Sequence, residues 1–167
     1  MASLFLELFF IAQTLSGLYA EVPPSLEFVS EQEMYERVCE PLEDPKGVKV
    51  PCNTGGYYRL GSDLVVVLGE YDYETYPAQS LIVHEIVHYL QDKNNTPHTN
   101  CEDYYKKEEM AYNIQDEFLR INGDYGFPKK HILKQVWLDV QRNCRDEMFL
   151  ELDKEEVKAY IQIHRSL

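Results

Sequence analysis

The chain has 167 residues, of which 44% are hydrophobic and 27% are charged, values typical of a soluble globular protein with one core. It carries 29 acidic and 16 basic residues, which gives a formal net charge of -13 at pH 7. A phosphate-binding surface needs clustered lysine and arginine, so nucleic acid is excluded as an expected partner, whereas the negative charge aids solubility and would suit a cationic substrate.

The N-terminal segment, MASLFLELFFIAQTLSGLYA, resembles a secretory signal peptide that is cleaved after Ala20. Residues 4–15 are mostly apolar, although Glu7 interrupts them and no basic residue precedes them. We predict a signal peptide over residues 1–20, a single domain over residues 21–167 and a secreted or periplasmic protein. The alternative is a core helix in a cytoplasmic protein. The apolar run is too short for a stable membrane span.

The middle of the chain predicts a short helix, a loop and a strand. Ser30 and Glu33 form a capping-box pattern, which predicts a helix over the residues that follow. Residues 41–62 are rich in Pro, Gly, Asp and Asn and are predicted as loop. The β-branched run Leu64–Leu68 predicts a strand, with Tyr57–Leu60 as a candidate hairpin partner.

Four helices are predicted after the strand. Proline in the first turn marks the start of the first, the Asn-Gly pair at 122–123 ends the second, and a capping box opens the fourth. The third is amphipathic at helical spacing. The predicted ranges are 77–92, 100–122, 129–143 and 153–164. We therefore predict an α+β fold that is mostly α.

The chain contains four cysteines and no C-x-x-C pattern, so a cysteine zinc ribbon is not expected. In a secreted chain two disulfides are plausible, and we consider Cys39–Cys52 and Cys101–Cys144. Four cysteines allow three pairings, and reduced buried cysteines in a cytosolic protein are the alternative.

The stretch SLIVHEIVHYLQD contains the pattern H-E-x-x-H. On a helix, residues four apart lie on one face, so His84 and His88 would point two imidazoles at one position, as a zinc ion requires. Glu85 lies about 100° around the axis, where it suits a general base better than a ligand. The surrounding residues are apolar, and burying three ionisable side chains costs several kcal/mol unless a partner such as a metal compensates. The alternative is that the histidines bond to neighbours and Glu85 pairs with a lysine.

A catalytic zinc usually has three protein ligands. The extended pattern HExxHxxGxxH is excluded, because Gln91 and Asn94 stand where it has glycine and histidine. The next helix offers Glu108, in the middle of its apolar arc, and Glu109, about 100° away on its charged side. Glu108 is therefore the candidate ligand, and a buried ion pair with Lys107 or Lys134 is the alternative.

HEIVH, the 20-residue step from His88 to Glu108, and the sequence EEMA together resemble the gluzincin class of zinc metallopeptidases. In that class the third ligand is the first Glu of an E-x-x-A pattern on the following helix. The resemblance covers residues 64–121 and implies one Zn²⁺ held by His84, His88 and Glu108, with Glu85 as catalytic base. It also implies a zincin-like helix bundle with a small sheet or hairpin before the active-site helix. AYNIQDEFL is similar to small exported bacterial proteins of this type.

The resemblance implies an exported zinc-dependent hydrolase in which zinc-bound water, activated by Glu85, attacks the carbonyl of a polypeptide or peptide-like substrate. Candidate donors to the transition state are Tyr112, His131 and His98. Gln115 and Asp116 are candidates for orienting the histidines, and the strand Leu64–Leu68 is a candidate edge for an extended peptide.

Two other functions remain open: a non-catalytic, zinc-stabilised binding or interaction module, and a metal-free helical protein. Glu85 favours catalysis, because a structural site has no use for a buried carboxylate beside its ligands. The sequence does not indicate an oligomeric state.

Overall fold

The computed structural model describes residues 2–39 and 54–143. Within these ranges long helices accompany three short strands, so the predicted α+β, mostly α class is confirmed. The elements are α1 (Ala2–Ser16), β1 (Ser25–Val29), α2 (Glu31–Met34) with a π-helical turn (Tyr35–Cys39), β2 (Gly56–Tyr58), β3 (Leu64–Leu68), α3 (Tyr76–Lys93), α4 (Cys101–Ile121) and α5 (Lys129–Asn143).

The three strands form one sheet in the order β1-β3-β2. β3 is the predicted strand, and β2 is its antiparallel hairpin partner, one residue earlier than predicted at its start. β1 was not predicted, and it pairs with β3 in parallel from Ser25 opposite Leu64 to Val29 opposite Leu68. The expectation that Leu64–Leu68 offers an edge to a peptide is wrong, because both of its sides are paired. Among the described strands β1 and β2 each pair with β3 alone, and all three residues of β2 are buried.

Helix α3 follows the sheet and forms the centre of the core. Pro77 lies in its first turn, and it runs one residue further at each end than the predicted 77–92. Most of its side chains are buried, because it packs against β2, β3, α1 and α4. A helix with apolar residues on nearly every side is stable only when other elements pack against each of those sides.

Helix α4 packs along α3 and ends where its caps predict. The Asn100 side chain accepts a hydrogen bond from the Asp103 amide at 2.9 Å, and Asn122 caps the other end. Helix α5 has the predicted range, but Trp137 is 40% exposed and lies beside the Tyr105 ring rather than in the core. The predicted helix at 153–164 lies outside the described residues.

Helix α1 packs on α3 and α4 through Leu8, Phe9 and Ala12, all of which are buried. The following segment is attached to α3, since the Tyr89 hydroxyl donates to the Val22 carbonyl oxygen at 2.6 Å. Cleavage after Ala20 stays a prediction. So do the disulfide pairings, because each involves Cys52 or Cys144, which lie outside the described residues. In the part of the chain that is described, no helix combines the length and apolarity needed to cross a membrane.

Candidate metal centre

Two histidines of α3 and one glutamate of α4 meet in the interior. His84, His88 and Glu108 are at most 3% exposed. The Nε2 atoms of the two histidines lie 3.1 Å apart. The Glu108 carboxylate lies 3.7 Å from Nε2 of His84 and 3.5 Å from Nε2 of His88. One ligand atom from each residue lies within 4.8 Å of the others, so the predicted trio could hold a metal ion.

Gln91 determines which nitrogen of His88 faces the trio. Its Nε2 donates to the Lys107 carbonyl oxygen at 2.9 Å, so its Oε1 is the atom that faces Nδ1 of His88, also at 2.9 Å. An amide oxygen only accepts, and therefore Nδ1 of His88 carries the proton. The lone pair of Nε2 is left pointing toward His84.

Gln115 and Ser80 determine which nitrogen of His84 faces the other members of the trio. The Ser80 hydroxyl donates to the Pro77 carbonyl oxygen at 2.7 Å, so its oxygen accepts from Nε2 of Gln115 at 3.0 Å. Oε1 of Gln115 then faces Nδ1 of His84 at 3.1 Å and accepts its proton. The structure thus bears out Gln115 as an orienting residue.

Asp116 does not orient the histidines, because it accepts a hydrogen bond from Nζ of Lys129 at 2.5 Å. Gln91 and Ser80 were not predicted as orienting residues, although the position of each on α3 marks it as a candidate. Gln91 lies one turn after His88 and Ser80 one turn before His84, and both are uncharged polar side chains in an apolar run.

The spacing of the trio matches that of ligands around a tetrahedral zinc ion. With bonds of about 2.0–2.1 Å, two ligand nitrogens of such an ion lie about 3.3 Å apart. The observed separations of 3.1, 3.5 and 3.7 Å are close to that value. Two unprotonated nitrogens cannot hydrogen-bond to each other, whereas both can bind one cation. The residues therefore fit a zinc ion.

Glu85 lies beside the trio at the wall of a cavity of about 510 Å³. Glu85 is 2% exposed, and His84 and Gln115 line the same cavity. Gly56 lies against it: a Cβ atom at this position would be 3.2 Å from Cγ of Glu85 and 3.0 Å from the Val66 carbonyl oxygen. The absence of a side chain at Gly56 therefore leaves room for the Glu85 side chain.

Tyr112 is the one predicted donor that the structure brings to the cavity. Its ring lies edge-on to that of His84, with centroids 4.4 Å apart. Burial raises the pKa of Tyr112 well above its usual value, and the charges of Glu108 and Glu85 raise it further, so the hydroxyl stays protonated. His131 is exposed on α5, and neither it nor His98 lines the cavity.

In comparisons with known proteins, no family model, no curated protein and no solved structure matches the chain.

Proposed function

We propose that the protein is a zinc-dependent hydrolase of peptide bonds, with His84, His88 and Glu108 as ligands and Glu85 as base. The supporting observation is the pair of Nε2 atoms 3.1 Å apart, on rings whose Nδ1 atoms each face an amide oxygen, beside a buried carboxylate. Mg²⁺ and Ca²⁺ prefer oxygen ligands, so imidazole favours a transition metal. A Glu next to the first His of H-x-x-x-H favours zinc-dependent hydrolysis over Fe(II) chemistry.

A zinc ion in this place would lower the pKa of a bound water toward 7 and polarise a carbonyl. Glu85 lines the cavity, where its carboxylate would take up a proton from the attacking water and would return it to the leaving amine. The Tyr112 hydroxyl donates to the oxygen on which negative charge develops. Gln91 and Gln115 keep both histidines in the tautomer that binds metal.

A polypeptide substrate is supported by the position of β2. Among the described strands β2 pairs with β3 alone, and its first residue, Gly56, lines the cavity next to Glu85. An extended peptide can add to an edge strand through backbone hydrogen bonds. Such a peptide would pass Glu85 with a carbonyl within reach.

The test begins with elemental analysis of the purified protein for zinc and iron. We expect about one zinc per chain, and its loss in His84→Ala and Glu108→Ala. Glu109→Gln is the matched control, because Glu109 is the neighbouring carboxylate on α4 but does not belong to the trio. If the wild type binds no metal after refolding with zinc, the proposal is wrong.

Cleavage of a peptide library is measured next with the wild type and Glu85→Gln. We expect the variant to retain zinc and to lose cleavage, since the amide cannot accept the proton. Zinc binding without cleavage by the wild type would instead indicate the non-catalytic, zinc-stabilised module.

A further inference from the structure

The cavity beside Glu85 has mostly apolar walls. They come from the turn after β3, the facing sides of α3 and α4, and the segment that leads into α5. The large apolar and aromatic side chains among its lining residues are Tyr71, Leu81, Tyr112, Leu119, Phe127 and Ile132. A volume of about 510 Å³ lies within the usual range for a binding pocket, about 300–1,000 Å³, and suits a large apolar group.

The charges at the cavity have one sign. Among the described residues that line it, Asp72, Glu85 and Asp124 are acidic and none is lysine or arginine. Asp72 is exposed and Asp124 is partly exposed, so both are open to solvent, whereas Glu85 is buried. A basic group at the solvent-exposed part of the wall would find the two carboxylates of Asp72 and Asp124, whereas an acidic group there would meet like charge.

Building on the proposed function, we propose that the substrate is a peptide segment in which a large apolar residue is flanked by basic residues. The apolar side chain occupies the cavity next to Glu85, and the basic side chains lie near Asp72 and Asp124. Asp72 and Asp124 would then determine specificity without taking part in the chemistry. The net charge of -13 would also attract such a segment over longer distances.

Both aspartates allow a substitution that removes only the charge. Oδ1 of Asp72 accepts a hydrogen bond from the Glu74 amide, and Oδ1 of Asp124 accepts one from the Gly126 amide, each at 3.0 Å. Asparagine retains that acceptor, so Asp72→Asn and Asp124→Asn should preserve the turns. Glu109→Gln removes one charge outside the cavity and is the matched control.

The test uses four peptides with Phe or Ala at the centre and Lys or Glu on both sides. We expect the zinc-loaded wild type to prefer the Phe peptide with lysines in kcat/KM. Each Asp→Asn change should lower that value about two- to fivefold, as for a single exposed ion pair. Added salt should reduce the difference. Tyr71→Ala, at a residue 37% exposed, should reduce the preference for Phe over Ala.

Binding of the same peptides to zinc-loaded Glu85→Gln, measured by calorimetry, separates the two proposals. We expect the same order of affinities there. If the peptides are cleaved or bound without regard to Phe or Lys, the specificity proposal is overturned, while cleavage by the wild type would still support the hydrolase. If the order appears in binding but the wild type cleaves nothing, the specificity stands and the hydrolase proposal fails.

Discussion

At His84 and at His88, the side-chain amide of a glutamine determines which ring nitrogen points toward the other two residues of the trio. Each amide is oriented at its far end, Gln91 by the Lys107 carbonyl oxygen and Gln115 by the Ser80 hydroxyl. The orientation of each amide thus follows from a bond that does not involve the histidine, and the amide oxygen in turn fixes the tautomer of the ring.

Replacing Gln91 with Leu should weaken zinc binding about 10- to 100-fold, as removal of orienting groups around metal sites does. The leucine side chain fills most of the volume but cannot accept the hydrogen bond that holds His88 in its tautomer. Competition with a chelator of known affinity measures the change. Gln79→Leu is the control, because Gln79 is also buried on α3 but donates to the Tyr73 carbonyl oxygen. Equal losses in both variants would contradict the orienting role.

Gly56→Ala should impair catalysis more than zinc binding. The new methyl group would lie 3.2 Å from Cγ of Glu85 and 3.0 Å from a backbone oxygen of β3, so Glu85 or β2 must shift. We expect the free energy of unfolding to fall by about 1–3 kcal/mol, as for an overpacked core. Peptide cleavage, zinc content and urea unfolding are measured on the same sample.

Gly69→Ala is the matched control for this change, because its nearest atom, the Val29 carbonyl oxygen, would be 3.5 Å away, an ordinary contact. An active Gly56→Ala with unchanged stability would show that this contact does not position Glu85.

The sequence predicts the trio but not the cavity, for a physical reason. His84, His88 and Glu108 follow from helical periodicity, which is local. The cavity walls come from segments between Gly55 and Ile132, and their meeting depends on tertiary packing. Periodicity carries no information on that packing.

At the scale of elements, local signals set the helix ends and long-range pairing sets the sheet. The ends of α3 and α4 lie within one or two residues of prediction, because Pro77, Asn100 and Asn122 act on their own turns. β1 was missed because its partner lies far along the chain, Ser25 opposite Leu64, and a parallel pair leaves no turn signal between its strands.

The connection between α3 and α4 should make the fold sensitive to acid. Burial, with a contribution from Lys107, lowers the pKa of His98 from 6.5 to about 4. The unfolded chain therefore binds a proton between about pH 6.5 and 4 that the folded chain does not. The contribution of His98 to the free energy of unfolding is therefore complete above pH 6.5. It decreases by about 1–2 kcal/mol, after allowance for partial exposure, as the pH falls from 6.5 to about 4.

His98→Asn should remove this part of the pH dependence. Urea unfolding of metal-free protein at pH 7.5 and pH 5 measures it, with His131→Asn, an exposed histidine on α5, as the control. A wild-type pH dependence that is unchanged in His98→Asn would show that this side chain is not responsible.

At the scale of the whole molecule, α1 belongs to the main core. Leu8 and Phe9 are each 1% exposed and pack in the same cluster as α3. A chain that begins at Glu21 would leave their contacts on α3 and α4 open to water.

Removing residues 1–20 should therefore lower the free energy of unfolding by about 3–6 kcal/mol, from the burial of two large apolar side chains. Urea unfolding of both chains measures this. Within the full chain, Leu8→Ala should cost about 2–5 kcal/mol, whereas Leu6→Ala, at a residue 43% exposed, should cost little. Equal stability of the long and short chains would instead favour a cleaved leader.

The hydrogen bonds of Gln91, Gln115 and Ser80 that orient the two histidines join α3 to α4. The two helices are consecutive, and contacts between neighbours in sequence form early in folding. A nascent chain with these two helices would already carry every proposed ligand, while Phe127 and Ile132 of the cavity would still be missing. A metal ion held by the trio would therefore link these two consecutive helices, whether or not the rest of the cavity wall is in place.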